Sequence, residues 1–183
     1  MKIALSGSQS CGKTTVLNML KKEWPNFVFK DEITREIAAM GFPINEGSTN
    51  MTQTLIINEH IRRSLIKEDV ILDRCILDGM VYTKYFASKD IINKWVACYA
   101  KNACKMIIDS YDVIFYFTPK IEPVEDGVRS TCKEFREGIE KIFIRDIKKL
   151  NKSNIITLDQ DLLEDRCKII SNKISELLDR RSK

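Results

Sequence analysis

The sequence predicts an α/β fold: a parallel sheet of about five strands flanked by helices. Three observations carry that expectation. Short apolar runs rich in β-branched residues alternate with stretches of helical periodicity, the order that favours a parallel sheet covered by helices. The first apolar run, Ile3-Ala4-Leu5, feeds directly into Gly7-Ser8-Gln9-Ser10-Cys11-Gly12-Lys13-Thr14-Thr15, where Gly7, Gly12, Lys13 and Thr14 stand at the G-x-x-x-x-G-K-[ST] spacing of a phosphate-binding loop. At 183 residues, 44% apolar and 31% charged, the chain has the size and composition of one globular domain with a sizeable core. The whole of residues 1–183 is therefore expected to form a single domain.

The elements follow in order. Lys2 to Ser6 is the first strand, and a helix from about Lys13 to Glu23 carries Val16, Leu17 and Leu20 on one face and stops before Pro25. Phe27-Val28-Phe29 is a short second strand, and helical spacing returns over Thr34 to Met40, ending near Gly41. Residues 42 to 50, with Pro43, Asn45, Gly47, Ser48 and Asn50, read as a loop. A helix over roughly Met51 to Lys67 leads into the buried strand Asp69 to Asp73. A long helical stretch from about Leu77 to Ser110 is broken near Ser88 to Asp90. Tyr111 to Thr118 is the strongest strand, stopped by Pro119. Residues 120 to 131 are polar, hold Pro123 and Gly127, and are expected to be mobile. A helix from about Lys133 to Leu150, a strand from Asn154 to Leu158 and a helix over Leu162 to Leu178 close the fold, with Arg180, Arg181 and Lys183 as a frayed basic tail.

The chemistry of the glycine-rich run explains its spacing. Glycines let successive backbone N–H groups turn inward on a phosphate, and a helix beginning near Gly12 adds its positive end to the same concavity. Lys13 would reach the outer phosphates, and Thr14 would offer its hydroxyl oxygen to a phosphate-bound Mg²⁺. Ser8, Gln9, Ser10, Cys11 and Thr15 complete the nucleotide-binding run.

In a doubly wound sheet, ligands bind beyond the carboxyl ends of the strands, so the residues that follow each strand are the candidates. Asp73 ends an apolar strand, where a carboxylate either holds Mg²⁺ or caps the strand. Arg74 either binds an acceptor or forms a surface ion pair. Glu32 has two readings, a general base that takes the acceptor's proton or a carboxylate that stabilises a helix N-terminus. Asp31 and Arg35 share its segment as candidate substrate ligands. Arg129 is a candidate closing-lid arginine that neutralises the transferring phosphoryl group, followed one helical turn later by Lys133 and Arg136; a solvated loop charge is the alternative. The lid is expected to cover about 119–136. His60 is placed on a helix face with no chemical role. Tyr82, Tyr85, Phe86, Trp95 and Tyr99 fall near helical spacing and read as core, with one or two available to line an acceptor pocket.

Composition excludes several classes. A net charge of +4 suits phosphorylated ligands but is not a nucleic-acid footprint. Six scattered cysteines without a C-x-x-C pair, and one histidine, argue against a zinc site and read as reduced thiols. Cys11 and Cys75 lie within the proposed site, so their alkylation would inactivate without either being catalytic. No run is long and apolar enough to cross a membrane, and Met1 opens directly onto the first strand, so a cytoplasmic location is expected.

Gly7–Thr15, Glu32-Ile33-Thr34-Arg35-Glu36, Leu72-Asp73-Arg74-Cys75-Ile76-Leu77-Asp78 and Glu125-Asp126-Gly127-Val128-Arg129 together resemble the small P-loop kinases of the nucleoside and nucleotide kinase superfamily. The likeness is greatest to NadR-type nicotinamide riboside kinases and to AAA-like ATP-binding proteins of phage and bacteria, and it runs in order along essentially the whole chain. It implies a P-loop kinase fold with a mobile lid, ATP and Mg²⁺ as cofactors, Glu32 and Arg35 facing the acceptor, Asp73-Arg74 as the Asp-Arg pair of thymidylate-kinase-like enzymes, and Arg129 as the lid arginine. The chain departs from the deoxynucleoside kinases at Cys75, where they usually carry serine, and it has no counterpart of the adenylyltransferase domain found with many NadR kinases.

The expected function is phosphoryl transfer from ATP to a nucleoside-like or nucleoside monophosphate acceptor. Rivals are a polynucleotide or modified-base DNA kinase, for which Lys84, Lys89, Lys94, Lys101 and Lys105 would form the groove, and an NTP-hydrolysing switch. A guanine-specific N-K-x-D is not matched by Asn151-Lys152-Ser153-Asn154, which lacks the acid and precedes its strand. Partners are then a nucleoside triphosphate and a small acceptor, with no membrane and a homodimer left open.

Overall fold

The computed structural model describes residues 1–120 and 132–182. Five strands, β1 (Lys2–Ser6), β2 (Val28–Lys30), β3 (Val70–Asp73), β4 (Val113–Phe117) and β5 (Ile155–Leu158), form one sheet in the order β2-β3-β1-β4-β5. Every pairing is parallel, with Ala4 opposite both Leu72 and Ile114. The α/β fold with a five-stranded parallel sheet stands as the sequence predicts.

Side chains alternate across the sheet because a strand repeats every two residues. Ile3 and Leu5, Ile71, and Val113, Phe115 and Phe117 point to one face, where they meet Val16, Leu17 and Leu20 of α1 (Lys13–Glu23) and Ile170 and Ile174 of α7 (Leu163–Arg181). Ala4, Val70, Leu72, Ile114 and Tyr116 point to the other. There they are covered by α3 (Asn50–Ser64), α4 (Ile76–Ser88), α5 (Lys94–Ile107) and α6 (Lys133–Leu150). The short α2 (Ile33–Ala39) packs Ile33 and Ile37 on Ile56 of α3.

Two glycines allow close approaches. A Cβ on Gly79 would stand 2.7 Å from Ile57 Cδ1 and 3.0 Å from His60 Cδ2, so the bare backbone of α4 leaves room for these side chains of α3. A Cβ on Gly138 would stand 2.3 Å from Tyr85 Cε2, so α6 likewise leaves room for a ring of α4.

Most expected elements are present, with boundary shifts. The second strand is displaced by one residue to Val28–Lys30, in register with Val70, Ile71 and Leu72. The long helical stretch is two helices, α4 and α5, followed by a 3-10 turn at Ile108–Ser110; Asp90, at φ 52°, sits in the break. Arg180 and Arg181 are not a frayed tail. Both continue α7, and Arg181 donates to Asp69 at 2.7 Å, an acid that also takes the N-terminal ammonium. Lys133 and Arg136 belong to the first turn of α6, while residues 121–131, including Arg129, lie outside the described residues. Among the described residues no helix is long and apolar enough to cross a membrane.

Candidate active site

The carboxyl ends of β1, β2 and β3 deliver their following residues to one rim, the geometry expected of an open α/β sheet. Between β1 and α1 the chain turns through Gly7 (φ 140°), Ser10 (φ 56°) and Gly12 (φ 89°). Gly7 also needs its missing side chain for space, since a Cβ there would stand 2.7 Å from the Phe117 carbonyl oxygen. Lys13 is folded back over this loop and buried. Its ammonium donates to the carbonyls of Ser8 at 2.7 Å and Gly7 at 3.0 Å, and meets Cys11 Sγ at 3.3 Å. The loop is thus held in a curled form around its buried cation.

Thr14 and Asp73 come together from positions far apart in the chain. The Thr14 hydroxyl donates to Asp73 Oδ2 at 2.9 Å. Asp73 Oδ1 is buried and takes no hydrogen bond among the described residues. Burial, then the neighbouring Glu32 charge, pushes the Asp73 carboxyl above its ordinary range, against the pull of Lys13 and Arg74. A buried carboxylate oxygen without a donor, beside a hydroxyl at the foot of a phosphate loop, is a hard oxygen set that fits Mg²⁺.

Arg74 leaves β3 with φ 72°, a left-handed conformation that is uncommon for a long side chain. The turn carries its guanidinium under the phosphate loop. Nε donates to Glu32 Oε1 at 2.6 Å, while Nη1 reaches the Gly7 carbonyl at 2.9 Å, Asp78 Oδ1 at 3.2 Å and the Tyr82 hydroxyl at 3.3 Å. The guanidinium also lies 5.0 Å from the centre of the Tyr82 ring. Burial would lower its pKa, but the charges of Glu32, Asp78 and Asp73 outweigh that and hold it firmly protonated. Backbone strain of this kind collects at functional sites, and here it aims one cation at two carboxylates and the loop.

Asp78 is the joint of the assembly. Its Oδ1 accepts from the Gly7 N–H at 3.1 Å, and its Oδ2 accepts from the Cys75 N–H at 3.0 Å, closing a capping box at the start of α4. One carboxylate therefore ties the phosphate loop, Arg74 and the helix that walls the neighbouring cavity.

That cavity opens beside the loop. Its charged lining residues are Glu32, Arg74 and Asp78, and Tyr82 and Phe86 give it aromatic walls. His60, from α3, is buried and lines it too, with burial lowering its pKa to about 4. Gln53 Nε2 donates to Ser48 at 3.1 Å, and its Oε1 accepts from Thr83 at 3.2 Å, so this amide is fixed in the wall.

The remaining candidates separate clearly. Arg35 Nε lies 3.9 Å from Glu32 Oε2 at the rim. Asp31 does not join them: it is exposed and ion-paired with Lys21 of α1 at 2.8 Å, because neighbours in an extended segment point to opposite sides. Arg136 is half-buried on α6, where its charge and that of Lys13 act on Glu140. Glu140 takes the Tyr116 hydroxyl, and burial raises its carboxyl pKa. Of the lysines considered for a groove, Lys84 is paired with Asp146, and Lys89 with Glu134 at 3.1 Å.

Sequence reasoning assigned no role to Asp78, Gln53, Glu140 or Arg166, and placed His60 outside the chemistry. Asp78 alone had a local signal, standing three residues after the helix-capping Cys75. Arg166 is fully buried behind the loop, donating to the Cys11 and Thr118 carbonyls at 3.2 Å and to the Gln160 carbonyl at 2.7 Å. Its contacts join segments far apart in sequence, so no spacing announces them.

Known proteins share this plan. The chain is 26% identical to a thymidylate kinase from Aliarcobacter butzleri (strain RM4018), over 94% of this chain and 97% of the relative. A deoxyadenosine kinase from M. mycoides, solved with dCMP and a flexible dCDP, superposes with a TM-score of 0.74 at 16% identity, covering 97% of this chain and 100% of that one. NadR in complex with NAD and AMP-PNP superposes with a TM-score of 0.69 at 18% identity over 93% of this chain, which spans only 48% of NadR. These likenesses establish the shared P-loop kinase fold that the motifs anticipate. A family model described as an AAA domain matches residues 2–166, and the chain belongs to that family.

Proposed function

We propose that the protein is a small-molecule kinase that transfers the terminal phosphoryl group of ATP, with Mg²⁺, to a nucleoside-like or nucleoside monophosphate acceptor. The observation that carries this reading is the convergence on one rim of a phosphate loop, a Thr14–Asp73 oxygen pair and a Glu32–Arg74 pair, with an open cavity beside them. The activities of the thymidylate and deoxyadenosine kinases among its relatives support it.

Gly7, Ser8, Gln9, Ser10, Cys11, Gly12 and Thr15 would form the phosphate cradle through their backbone, with the N-terminus of α1 at its base. Lys13 would exchange its contacts with the loop carbonyls for the outer phosphates. Thr14 and Asp73 would hold Mg²⁺, which supplies charge neutralisation on the phosphates when bound. Glu32 would take the acceptor's hydroxyl proton, and Arg74 would hold that carboxylate in place. Arg35 would meet the acceptor at the rim. Arg129, and Arg136 with it, would neutralise the transferring group, as lid arginines do.

Product-resolved mass spectrometry with ATP, Mg²⁺ and a pool of nucleosides, monophosphates, nicotinamide riboside and a DNA oligomer tests the reading. One small acceptor gaining a phosphate is the expected result. ADP release with no phosphorylated product would favour an NTP-hydrolysing switch. A phosphorylated oligomer whose yield falls with rising salt would favour a DNA kinase.

A further inference from the structure

Arg166, in the first turn of α7, is a buried cation with no carboxylate hydrogen-bonded to it among the described residues. It serves backbone carbonyls of three segments instead. Nε donates to the Gln160 carbonyl at 2.7 Å, in the loop after β5, and Nη1 donates to the Thr118 carbonyl at 3.2 Å, just past β4. Nη2 donates to the Thr118 hydroxyl at 3.4 Å. Nη1 also takes the Cys11 carbonyl, inside the phosphate loop, at 3.2 Å. The guanidinium lies 5.5 Å from the centre of the Phe117 ring, which adds a contact to the end of β4. A planar fork of five donors suits this position, because it reaches two strand ends and the loop at once.

The hold on Cys11 acts on the opposite side of the loop. A trans peptide is planar, and its C=O and N–H point in opposite directions. The Cys11 carbonyl is drawn toward Arg166, so the N–H of the same peptide, that of Gly12, is directed away from it. Gly12 stands at φ 89° as the residue before α1, where the loop meets the positive end of the helix. Without a Cβ it leaves the peptide free to turn unless the carbonyl is held. A carbonyl that accepts from a cation also polarises its peptide, which makes the N–H a stronger donor. Lys13 holds the Gly7 and Ser8 carbonyls, and in the reading above it gives them up for the phosphates. Arg166 is anchored on two strand ends and stays.

We infer that Arg166 is a positioning residue of the phosphate cradle, holding the Cys11–Gly12 peptide so that the Gly12 N–H meets a bound phosphate. This rests on the nucleotide-binding role proposed for the loop and deepens it. Arg166 touches neither nucleotide nor acceptor. It acts through one peptide unit, from the side of the loop away from the ligand.

The test takes ADP as the probe, with calorimetric titration for its affinity and the amide resonances of the seven glycines in the isotope-labelled chain. In wild type, ADP should move the Gly12 amide proton downfield, the mark of a new hydrogen bond. The Gly7 amide should move far less, because Asp78 already holds its N–H at 3.1 Å. Arg166→Met keeps most of the side chain's length and removes every donor. It should weaken ADP by about tenfold or more, the scale of one hydrogen bond from a charged donor, and abolish the ADP shift at Gly12. Arg166→Lys keeps the charge without the fork, and should also weaken ADP and shrink that shift. Melting temperatures report whether the variants fold, and Arg166→Lys keeps the test open if Arg166→Met does not. A folded variant of either kind that binds ADP within about twofold of wild type overturns the inference and leaves the nucleotide site standing. So does a wild-type Gly12 amide that bound ADP leaves unmoved. Failure of wild type to bind ADP removes the nucleotide site itself, and this inference with it.

Discussion

The proposed donor side of the candidate site comes from one unbroken run, Gly7–Thr15, plus a single carboxylate from β3. The cavity beside it draws on Gln9 of the loop, on the residues that follow β2 and β3, on the loop before α3, and on α2, α3 and α4. The difference is one of contact order. A glycine-rich turn followed by a helix folds its donors into place locally, so its chemistry can be read from spacing. A cavity wall assembled from several helices depends on how those helices pack, and packing is a long-range outcome. The donor side therefore announces its chemistry, and the acceptor side announces only its anchor points, Glu32 and Arg74.

Removing one group from each side is the strongest way to break that comparison. Lys13→Ala should lower kcat by about 10²–10³-fold or more, the usual cost of deleting one preorganised stabiliser of transition-state charge. The fold and the acceptor cavity should survive, because among the described residues the hydrogen bonds of Lys13 go to its own loop. Steady-state rates paired with calorimetric titration of the acceptor measure both. Retained turnover would mean the phosphate loop is not where transfer occurs.

Asp73→Asn comes next and bears on the metal. Wild type should gain thermal stability with added Mg²⁺ and lose that gain in a chelator, while Asp73→Asn should show neither change. Without Mg²⁺ the variant should be at least as stable as wild type, since it replaces a buried carboxylate whose Oδ1 has no hydrogen bond among the described residues. Its kcat should fall by about 10²-fold or more, as removal of a comparable electrostatic stabiliser does. A Mg²⁺-dependent shift that persists in Asp73→Asn would place the ion elsewhere.

Much of the scaffold was legible because the strands carry two-sided apolar runs and the helices carry one-sided ones. Val113–Phe117 is buried along its whole length, and Lys133–Leu150 begins and ends where its periodicity does. The second strand was misplaced by one residue because three residues at a sheet edge hold too little pattern to set register, and pairing with Val70–Leu72 decides it. The basic end of α7 was read as frayed because an ion pair to Asp69, more than a hundred residues away, is invisible locally. His60 shows the same limit within the site. One histidine in a polar helix pattern carries no sign that Gly79 of the next helix will admit it to a cavity wall.

That histidine gives a smaller, pH-dependent test confined to the acceptor side. Burial lowers its folded pKa to about 4, so the unfolded chain, with an ordinary value near 6.5, takes up the proton first. The fold is at full strength above about pH 6.5 and weakens as pH falls toward 4, by up to about 3 kcal/mol from this group. Urea midpoints across that window should therefore fall more steeply in wild type than in His60→Gln. Parallel slopes would show that His60 titrates as it does in water and is not sealed in the wall.

The smallest expected effect lies where the two sides meet, at Cys75. Its N–H is held by Asp78 in the capping box, and its thiol is buried, with burial and then the Asp78 charge pushing it well above its ordinary pKa. So buried and so protonated a thiol is a poor nucleophile, and a mild alkylating reagent should label the exposed Cys98 and Cys132 well before it. Inactivation that tracks Cys75 labelling would contradict this burial. Cys75→Ser replaces the thiol with a hydroxyl, the residue that the resemblance to deoxynucleoside kinases leads one to expect here. Serine is a favoured helix cap, but its hydroxyl enters an apolar cluster that includes Ile76 and Leu77. These terms oppose one another, so stability should change by no more than about 1 kcal/mol and kcat should be unchanged. A change in acceptor preference in this variant would instead mean that α4 shifts with its cap, carrying Tyr82 and Phe86 with it. The cavity wall would then be set by the identity of one capping atom, and the acceptor side would be legible after all, from the residue that follows Arg74.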